Sequence, residues 1–294
     1  MEKVKREILV IGADGLLGKA LVKEMSQAYS VSGTTQGDLD ITDGTKVNEM
    51  CRRLHPKIII LTAAYTDVDG CEENAALARR VNIEGTRNVA EAAKTIKAVL
   101  VFMSTDYVFD GEKKSPYKEN DKPCPISIYG QSKFEGEKIV QSLLKEFVII
   151  RSSWLFGEGK RGFIQSISEA IRHKKPLEVV ADKFASPTYV VDLSQAISKI
   201  VGLILKGLYD FKKNSTIHIT NRGVCSWFDM AKFIVETLKP DGVSLNKMDL
   251  AEYPFKAKRP RYSALDNSRY NRITASPMRP WQEALREFIQ CQKV

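Results

Sequence analysis

The 294-residue sequence lacks any long hydrophobic run, since no stretch approaches the roughly 18 apolar residues that would span a bilayer. Its first residues, MEKVKREILVIG, are charged and then pass directly into a strand pattern. They show neither the apolar core nor the small-residue cleavage site of a signal peptide. We therefore expect no membrane contact and no secretion, and we predict a cytoplasmic protein.

Cysteine is scarce and scattered. No two of the five cysteines form a C-x-x-C pair, which disfavours a disulfide framework and a cysteine-based metal site. They are Cys51, Cys71, Cys124, Cys225 and Cys291. We expect a reducing compartment and no bound metal.

Concentrated basic charge is also missing. The net charge is +9, yet the lysines and arginines are spread along the chain, and the only dense cluster is KAKRPR at 256–261. Nucleic-acid-binding proteins usually carry a basic stripe or a known motif, so we expect no nucleic-acid partner. The three histidines, His55, His173 and His218, have no matching Ser/Asp constellation, which disfavours a hydrolase triad.

What the sequence does contain is a regular alternation of strand and helix patterns. Apolar runs such as EILVIG, KIIILTAA and AVLVFMST are separated by amphipathic segments, which is typical of a parallel sheet with helices on both faces. We predict an α/β fold with a doubly wound parallel sheet (Rossmann) and a smaller, discontinuous C-terminal substrate-binding part. The predicted NAD(P)-binding domain covers 1–155 and 186–221, and the substrate-binding part covers 156–185 and 222–294.

Several local expectations accompany this fold. The strand STIHIT (215–220) is predicted to return to the main sheet, and helices are predicted over 74–95 and about 127–146. Asp43 can cap the helix that it precedes, and Ser226 with Asp229 resembles a capping box.

The turn after the first strand, GADGLLG, contains Gly12, Gly15 and Gly18. Dinucleotide-binding turns need glycine for the tight turn, for close approach of the backbone to pyrophosphate, and for packing of helix on strand. The following helix N-terminus then offers amide donors and positive dipole to the phosphates. This context predicts a nicotinamide dinucleotide site.

The second strand ends in SGTTQ, where the usual ribose-binding acid is missing. Thr34, Thr35 and Gln36 are possible donors to a 2′-phosphate, so we predict NADPH, with NADH possible. Asp38 and Leu39 either approach the adenine or only precede the next helix.

The stretch PISIYGQSK places Tyr129 four residues before Lys133, on one face of a helix. A nearby ammonium favours the phenolate, so we expect Lys133, helped by the positive charge of the oxidised nicotinamide, to lower the pKa of Tyr129 and make it usable for proton transfer. Ser104 and Thr105, at the end of a core strand, are expected to face the same crevice, where a hydroxyl can bond a substrate carbonyl.

With these residues the sequence resembles the extended short-chain dehydrogenase/reductase family, and within it the dTDP-4-dehydrorhamnose reductases. The resemblance spans essentially the whole chain. Its carriers are GADGLLG, LTAAYTDVDGCE, VNIEGTRNVAEAA, STDYVFDG, YGQSKFEGE, RSSWLFG, DKFASPTYVVDL and KRPRYSALDNS.

The resemblance implies reduction of the C4 keto group of dTDP-4-dehydro-6-deoxy-L-mannose by NAD(P)H. The implied catalytic residues are Tyr129, Lys133 and Thr105. The implied cofactor-binding residues are Gly12, Gly15, Leu16, Leu17, Gly18, Asp38, Leu39, Ala63, Ala64, Tyr65, Thr66, Tyr129 and Lys133. The implied substrate contacts are Thr105, Asp106, Trp154 and Arg259, with 185–188 and 259–263 closing the substrate side.

Two departures from the family pattern, Gly162 before Phe163 and Tyr262, leave the exact sugar open. A nucleotide-sugar 4,6-dehydratase or epimerase is one alternative, although Tyr107 follows Asp106 where a dehydratase has an Asp-Glu pair. A non-catalytic subunit resembling the regulatory subunit of methionine adenosyltransferase is another. Some relatives dimerise around magnesium; a homodimer is possible here, but no magnesium ligands are identifiable.

Overall fold

The central sheet has six parallel strands. The computed structural model describes residues 7–159, 162–240 and 242–291. The prediction that the sequence has no signal peptide rests partly on residues 1–6, which lie outside the described residues. The sheet strands are β1 (Ile8–Ile11), β2 (Val31–Thr34), β3 (Ile58–Leu61), β4 (Val99–Thr105), β5 (Phe147–Ser152) and β10 (Thr216–His218). They lie side by side in the order β10-β5-β4-β3-β1-β2. The smaller strands are β6 (Leu155–Phe156), β7 (Leu177–Val180), β8 (Phe184–Ala185), β9 (Thr188–Tyr189), β11 (Cys225–Ser226) and β12 (Leu245–Met248).

Helices cover both faces of this sheet and form most of the remaining structure. They are α1 (Leu16–Met25), α2 (Gly44–Leu54), α3 (Val68–Glu73), α4 (Ala75–Arg79), α5 (Thr86–Ile96), α6 (Ile128–Leu143), α7 (Phe163–Arg172), α8 (Val190–Leu205), α9 (Phe211–Asn214), α10 (Trp227–Leu238), α11 (Ser268–Thr274) and α12 (Trp281–Cys291). The doubly wound parallel sheet predicted from the alternating pattern is confirmed. No helix in the described ranges is long and apolar enough to cross a membrane.

Successive residues of each strand pack on opposite faces. In β1, Ile8 and Val10 pack with α1 and α8, whereas Leu9 and Ile11 pack with α2 and α5. A strand buried on both faces must be apolar at every position, and for this reason these strands appear in the sequence as continuous apolar runs rather than alternating ones.

A third cluster lies around α7, α10 and α12, with the β7–β12 pair beside it. Strand β10 pairs with β5, so the predicted return of the chain to the main sheet is confirmed. Tyr270, in α11, packs within the core under α1 and α8. The division into two domains at the predicted boundaries stays a prediction.

Local capping follows the sequence expectations. The Asp43 side chain accepts from the Lys46 amide at the start of α2, and Ser226 and Asp229 bond each other reciprocally at the start of α10. The helix predicted over 74–95 is interrupted, because α4 and α5 are joined by a π-helical segment, Arg80–Gly85. Such segments are frequent at functional sites.

Candidate active site

The strand order reverses between β1 and β3, because the chain moves outward from β1 to β2 and then crosses to β3 on the other side. Open α/β sheets bind ligands outside the carboxyl ends of their strands at such a switch point. A cavity of about 690 Å³ lies there, bounded by the glycine turn, the end of β4, the start of α6 and the segment 154–157.

The three glycines of the turn meet three different requirements. Gly12 has φ of +92°, and a Cβ there would lie 2.6 Å from the Ala63 amide nitrogen. A Cβ at Gly18 would lie 2.0 Å from the Gly12 carbonyl oxygen, so its absence permits close packing of α1. Gly15 precedes α1, and its Cβ would meet only that same oxygen, at 3.3 Å. The space before the α1 N-terminus is therefore open to a ligand.

Most of the predicted cofactor residues lie together on this cavity. Those lining it are Gly12, Gly15, Leu16, Leu17, Gly18, Leu39, Ala63, Ala64, Tyr65, Thr66, Tyr129 and Lys133. Asp38 does not line it; its carboxylate accepts from the Thr35 amide at 2.9 Å and the Thr35 hydroxyl at 2.8 Å. These bonds lower the pKa of Asp38 and hold its carboxylate against Thr35 in the loop after β2. Gln36 does line the cavity, beside Leu39.

Lys133 is buried in the floor of the cavity, on α6. Its side chain is 3% exposed, and Nζ lies 4.2 Å from the centre of the Phe102 ring. Burial lowers the pKa of Lys133 to about 8, although the nearby Glu137 carboxylate opposes this change. The ammonium therefore titrates much closer to neutrality than that of a free lysine.

Tyr129 stands one turn before Lys133 and contacts Tyr107 edge to face, with ring centres 5.7 Å apart. Burial raises the pKa of Tyr129; the Asp106 charge acts in the same direction, and a hydrogen bond with Thr105 opposes it. The predicted lowering of this pKa by Lys133 is not observed. The phenol is neutral at physiological pH, which is the form that can donate a proton.

Thr105 links Tyr129 to a buried carboxylate. Its hydroxyl donates to Asp106 Oδ1 at 3.1 Å and accepts from the Tyr107 amide at 3.2 Å. Asp106 Oδ2 accepts from the hydroxyls of Ser153, at 2.8 Å, and Ser263, at 2.5 Å. A hydroxyl has one proton, so while Thr105 donates to Asp106 it has no hydrogen left for the Tyr129 oxygen.

The Ser104 side chain serves a different purpose from the one expected. Although Ser104 borders the cavity, its hydroxyl donates to Glu137 at 2.5 Å. Glu137 is fully buried and accepts two further bonds from Arg151, at 2.9 and 2.6 Å. This bidentate pair ties α6, which carries Tyr129 and Lys133, to β4 and β5.

Trp154 follows β5 and also lines the cavity. Its φ is +44°, a conformation that costs a non-glycine residue about 1–3 kcal/mol. Its carbonyl accepts from the Thr188 amide at 3.1 Å, and its ring contacts Phe163 and Trp227. Its surroundings must hold this conformation, and contact between Trp154 and the sugar stays a prediction.

Arg259 does not line the cavity, contrary to its predicted role as a substrate contact. Its two terminal nitrogens each donate to Asp69 at 2.9 Å, and its guanidinium stacks 3.6 Å from the Phe255 ring centre. Lys256 forms an ion pair with Glu73, so residues 256–259 of the basic cluster are held against α3 by carboxylates, whereas Arg261 pairs with Asp182. Contact between Arg259 and a substrate diphosphate stays a prediction that requires the Asp69 pair to open.

Two contributors to the site were missed in the sequence. Asn82, in the π-helical segment, accepts from the Tyr65 amide at 2.8 Å and donates to the Tyr65 carbonyl and the Ser132 hydroxyl. It thereby fixes the cavity-lining loop 63–66 against α6. Ser152, at the end of β5, borders the cavity with a buried hydroxyl that has no partner among the described residues. Its position at the end of an apolar strand, two residues before Trp154, would have been enough to predict that it lies at the site.

The sheet, the glycine turn and the Thr105–Tyr129–Lys133 group define an extended short-chain dehydrogenase/reductase, a dinucleotide-dependent oxidoreductase. Residues 6–294 match the family model described as the RmlD substrate binding domain, and the chain belongs to that family.

Individual relatives agree with this assignment. The chain is 35% identical over 288 residues to the dTDP-4-dehydrorhamnose reductase of Aggregatibacter actinomycetemcomitans, covering 96% of this chain and 97% of that protein. It is 36% identical over 285 residues to the spore coat polysaccharide biosynthesis protein SpsK of Bacillus subtilis, covering 97% of each. The solved dTDP-4-dehydrorhamnose reductase of Bacillus anthracis, in complex with NADP, superposes with a TM-score of 0.89 at 37% identity, covering 97% of this chain and 99% of that one.

Proposed function

We propose that this chain is a dTDP-4-dehydrorhamnose reductase that uses NADPH to reduce the C4 keto group of dTDP-4-dehydro-6-deoxy-L-mannose, giving dTDP-L-rhamnose. The observation that carries the proposal is the single cavity that joins the glycine turn to Thr105, Tyr129 and Lys133. The relatives named dTDP-4-dehydrorhamnose reductase, which match over nearly the whole chain, supply the substrate class.

The residues of the cavity fit a nicotinamide dinucleotide. The open space before α1 accepts phosphate at a helix N-terminus, where amide donors point outward. Lys133 is a buried cation able to hold ribose hydroxyls, and the apolar side chain of Leu39 borders the adenine end. NADPH is the proposed cofactor, supported by the NADP complex of the Bacillus anthracis relative; use of NADH stays a prediction.

When bound, the reduced cofactor supplies the hydride that forms the new C4–H bond. The protein orients the keto carbon and supplies the proton. Tyr129 is the proton donor, because its buried phenol is neutral and lines the same cavity as Thr105. Trp154 borders the space left for the sugar ring, and Asp106 stands behind Thr105 at its edge. Proton donation by a positioned side chain contributes about 10²–10⁴-fold to such a step.

The test is to mix purified protein, NADPH and the keto-sugar nucleotide, to follow absorbance of the reduced nicotinamide, and to identify the product. We expect stoichiometric oxidation and dTDP-L-rhamnose. A dehydratase or epimerase would instead retain tightly bound NAD and consume no NADPH. A pull-down that returned a stoichiometric amount of a methionine adenosyltransferase, together with no oxidation of NADPH, would support the non-catalytic alternative.

The alkaline pH dependence of the reaction follows from Lys133. Burial lowers its pKa to about 8, so the ammonium that holds the ribose is lost as pH rises through that value. We expect kcat/KM to decline above about pH 8. A profile that stays flat until free lysine titrates, near pH 10.4, would show that the Lys133 charge is not needed.

Substitutions at two glycines of the turn separate cofactor binding from folding. Gly15→Ala places a methyl group in the space proposed for phosphate, so we expect NADPH to bind about tenfold more weakly or worse, a loss of about 1.4 kcal/mol. Gly12→Ala forces an L-residue to a φ of +92° against the Ala63 backbone and should lower the free energy of unfolding. Calorimetric binding and chemical denaturation check the pair. Equal loss of stability in both variants would contradict the assignment of Gly15.

Other properties of the chain stay proposals. A homodimer and a cytoplasmic location are consistent with the family, and all five cysteines are free thiols. Within the described ranges, no three His, Cys, Asp or Glu side chains converge as a metal site, so magnesium has no identified ligands. Gly162 and Phe163 border the cavity next to Trp154, so this segment is the place where sugar preference would be set.

A further inference from the structure

Lys183 is a buried lysine that the reaction described above does not use. It precedes β8, its side chain is 2% exposed, and Nζ lies 5.4 Å from the ring centres of both Tyr107 and Trp227. In the described part of the chain no carboxylate comes within ion-pair distance of it. A buried ammonium is costly, and the two aromatic faces offset only part of that cost.

The carboxylate whose charge acts most on Lys183 is Asp106. The two groups influence each other reciprocally: the ammonium lowers the pKa of Asp106, and the carboxylate raises the pKa of Lys183. Burial works against both, because it raises the pKa of Asp106 and lowers that of Lys183 to about 8. Arg259 also faces Lys183 and disfavours its charged form, while Tyr107 and Tyr129 are the neighbouring phenols.

The backbone brings Lys183 to Asp106 together with one of the donors of that carboxylate. The Phe184 amide donates to the Arg261 carbonyl at 2.7 Å, and the Ser263 amide donates to the Phe184 carbonyl at 2.8 Å. Because these two segments run side by side, Lys183 lies near the carboxylate that the Ser263 hydroxyl binds. Asp106 itself is 3% exposed and accepts three hydroxyl hydrogen bonds.

Three donated hydrogen bonds suit an ionised carboxylate, which only accepts. If Asp106 took up a proton, it would become a donor at one oxygen, and at least one hydroxyl would have to turn away. Thr105 is the sensitive member, because its proton points either to Asp106 or to the Tyr129 oxygen, where it lowers the pKa of Tyr129. The charge state of Asp106 therefore decides which way the Thr105 proton points in the reacting centre.

We propose that Lys183 is a positioning residue: held between Tyr107 and Trp227, its ammonium keeps Asp106 ionised and so fixes the direction of the Thr105 hydroxyl proton beside Tyr129. The inference rests on the proposed reductase function. Lys183 touches neither the reacting atoms nor the space proposed for cofactor, and it acts through Asp106.

The test compares pH profiles of kcat/KM for wild type, Lys183→Met and the charge-preserving Lys183→Arg. Removing the ammonium raises the pKa of Asp106 further, so the carboxylate protonates at a higher pH. We expect the acid limb of Lys183→Met to move up by one pH unit or more, which at a pH below both acid limbs is a loss of about tenfold. Lys183→Arg should keep the wild-type acid limb. The neutral Lys183→Gln replaces Lys183→Met if the latter does not fold.

A double-variant cycle separates a role through Asp106 from a direct one. Adding Lys183→Met to Asp106→Asn should cost little beyond Asp106→Asn alone, because the group through which Lys183 acts is gone. Losses that multiply in the double variant would overturn the proposal. So would a raised KM with unchanged kcat and weaker dTDP binding, which would make Lys183 a phosphate contact.

A measurement without turnover tests the same coupling. With aspartate labelled at Cγ, the carbon resonance that Asp106→Asn removes is that of Asp106, and its titration is compared in wild type and Lys183→Met. An unchanged Asp106 titration overturns the proposal even if the reductase assay succeeds. Failure of wild type to oxidise NADPH with the keto-sugar would instead overturn the proposed function.

Discussion

Tyr129→Phe is expected to lower kcat by about 10²–10⁴-fold, because it removes the proton donor and leaves the ring in place. The loss should fall on turnover and leave the dissociation constants of NADPH and dTDP nearly unchanged, since neither ligand depends on the phenolic hydrogen. Steady-state kinetics with the keto-sugar nucleotide, together with calorimetric binding of both ligands, measures the two effects separately.

The matched control is Tyr29→Phe, which removes the same atom from a half-buried tyrosine that packs with α1 and α8. It should keep wild-type turnover. If Tyr129→Phe also kept wild-type turnover, Tyr129 would not be the donor, and the assignment of the reacting centre would be wrong.

Glu137→Leu is expected to lower the free energy of unfolding by about 3–5 kcal/mol, because it leaves the Arg151 guanidinium buried without its partner. Arg151 is 3% exposed, and its bidentate bonds to Glu137 account for two of its three nitrogens. The same substitution loosens α6, so activity should fall with stability. Urea denaturation followed by circular dichroism measures the first effect.

Two further variants show whether the buried charge is the cause. Glu137→Leu combined with Arg151→Met removes both charges and should recover much of the lost stability. Glu135→Gln breaks a half-exposed pair with Lys138 and should cost less than about 1 kcal/mol. If the Glu137→Leu protein were as stable as wild type, the pair would not anchor α6.

Features set by local sequence were predictable. The positions of Gly12, Gly15 and Gly18 imply the turn, since each requirement for glycine acts within a few residues. The four-residue spacing of Tyr129 and Lys133 implies a shared helix face, and the apolar runs imply strands buried on both faces. The reversal of strand order then brings the glycine turn and the end of β4 to one cavity.

What escaped prediction depends on contacts between distant parts of the chain. Arg259 pairs with Asp69 across 190 residues, and no local pattern shows that its guanidinium is already occupied. Asn82 reaches Ser132 across 50 residues through a π-helical segment that the sequence pattern presents as continuous helix. The pKa of Tyr129 is raised by burial of the phenol and by the Asp106 charge, whereas the local sequence pattern points only to the nearby lysine.

The central claim is that hydride passes from NADPH to C4 of a nucleotide-linked keto-sugar in the cavity at the switch point. Purified protein is mixed with dTDP-4-dehydro-6-deoxy-L-mannose and with NADPH in which deuterium replaces both hydrogens at C4 of the nicotinamide. We predict a dTDP-6-deoxyhexose that carries one deuterium at sugar C4. A product without deuterium, or NADPH that is not consumed, would contradict hydride transfer from NADPH to the sugar.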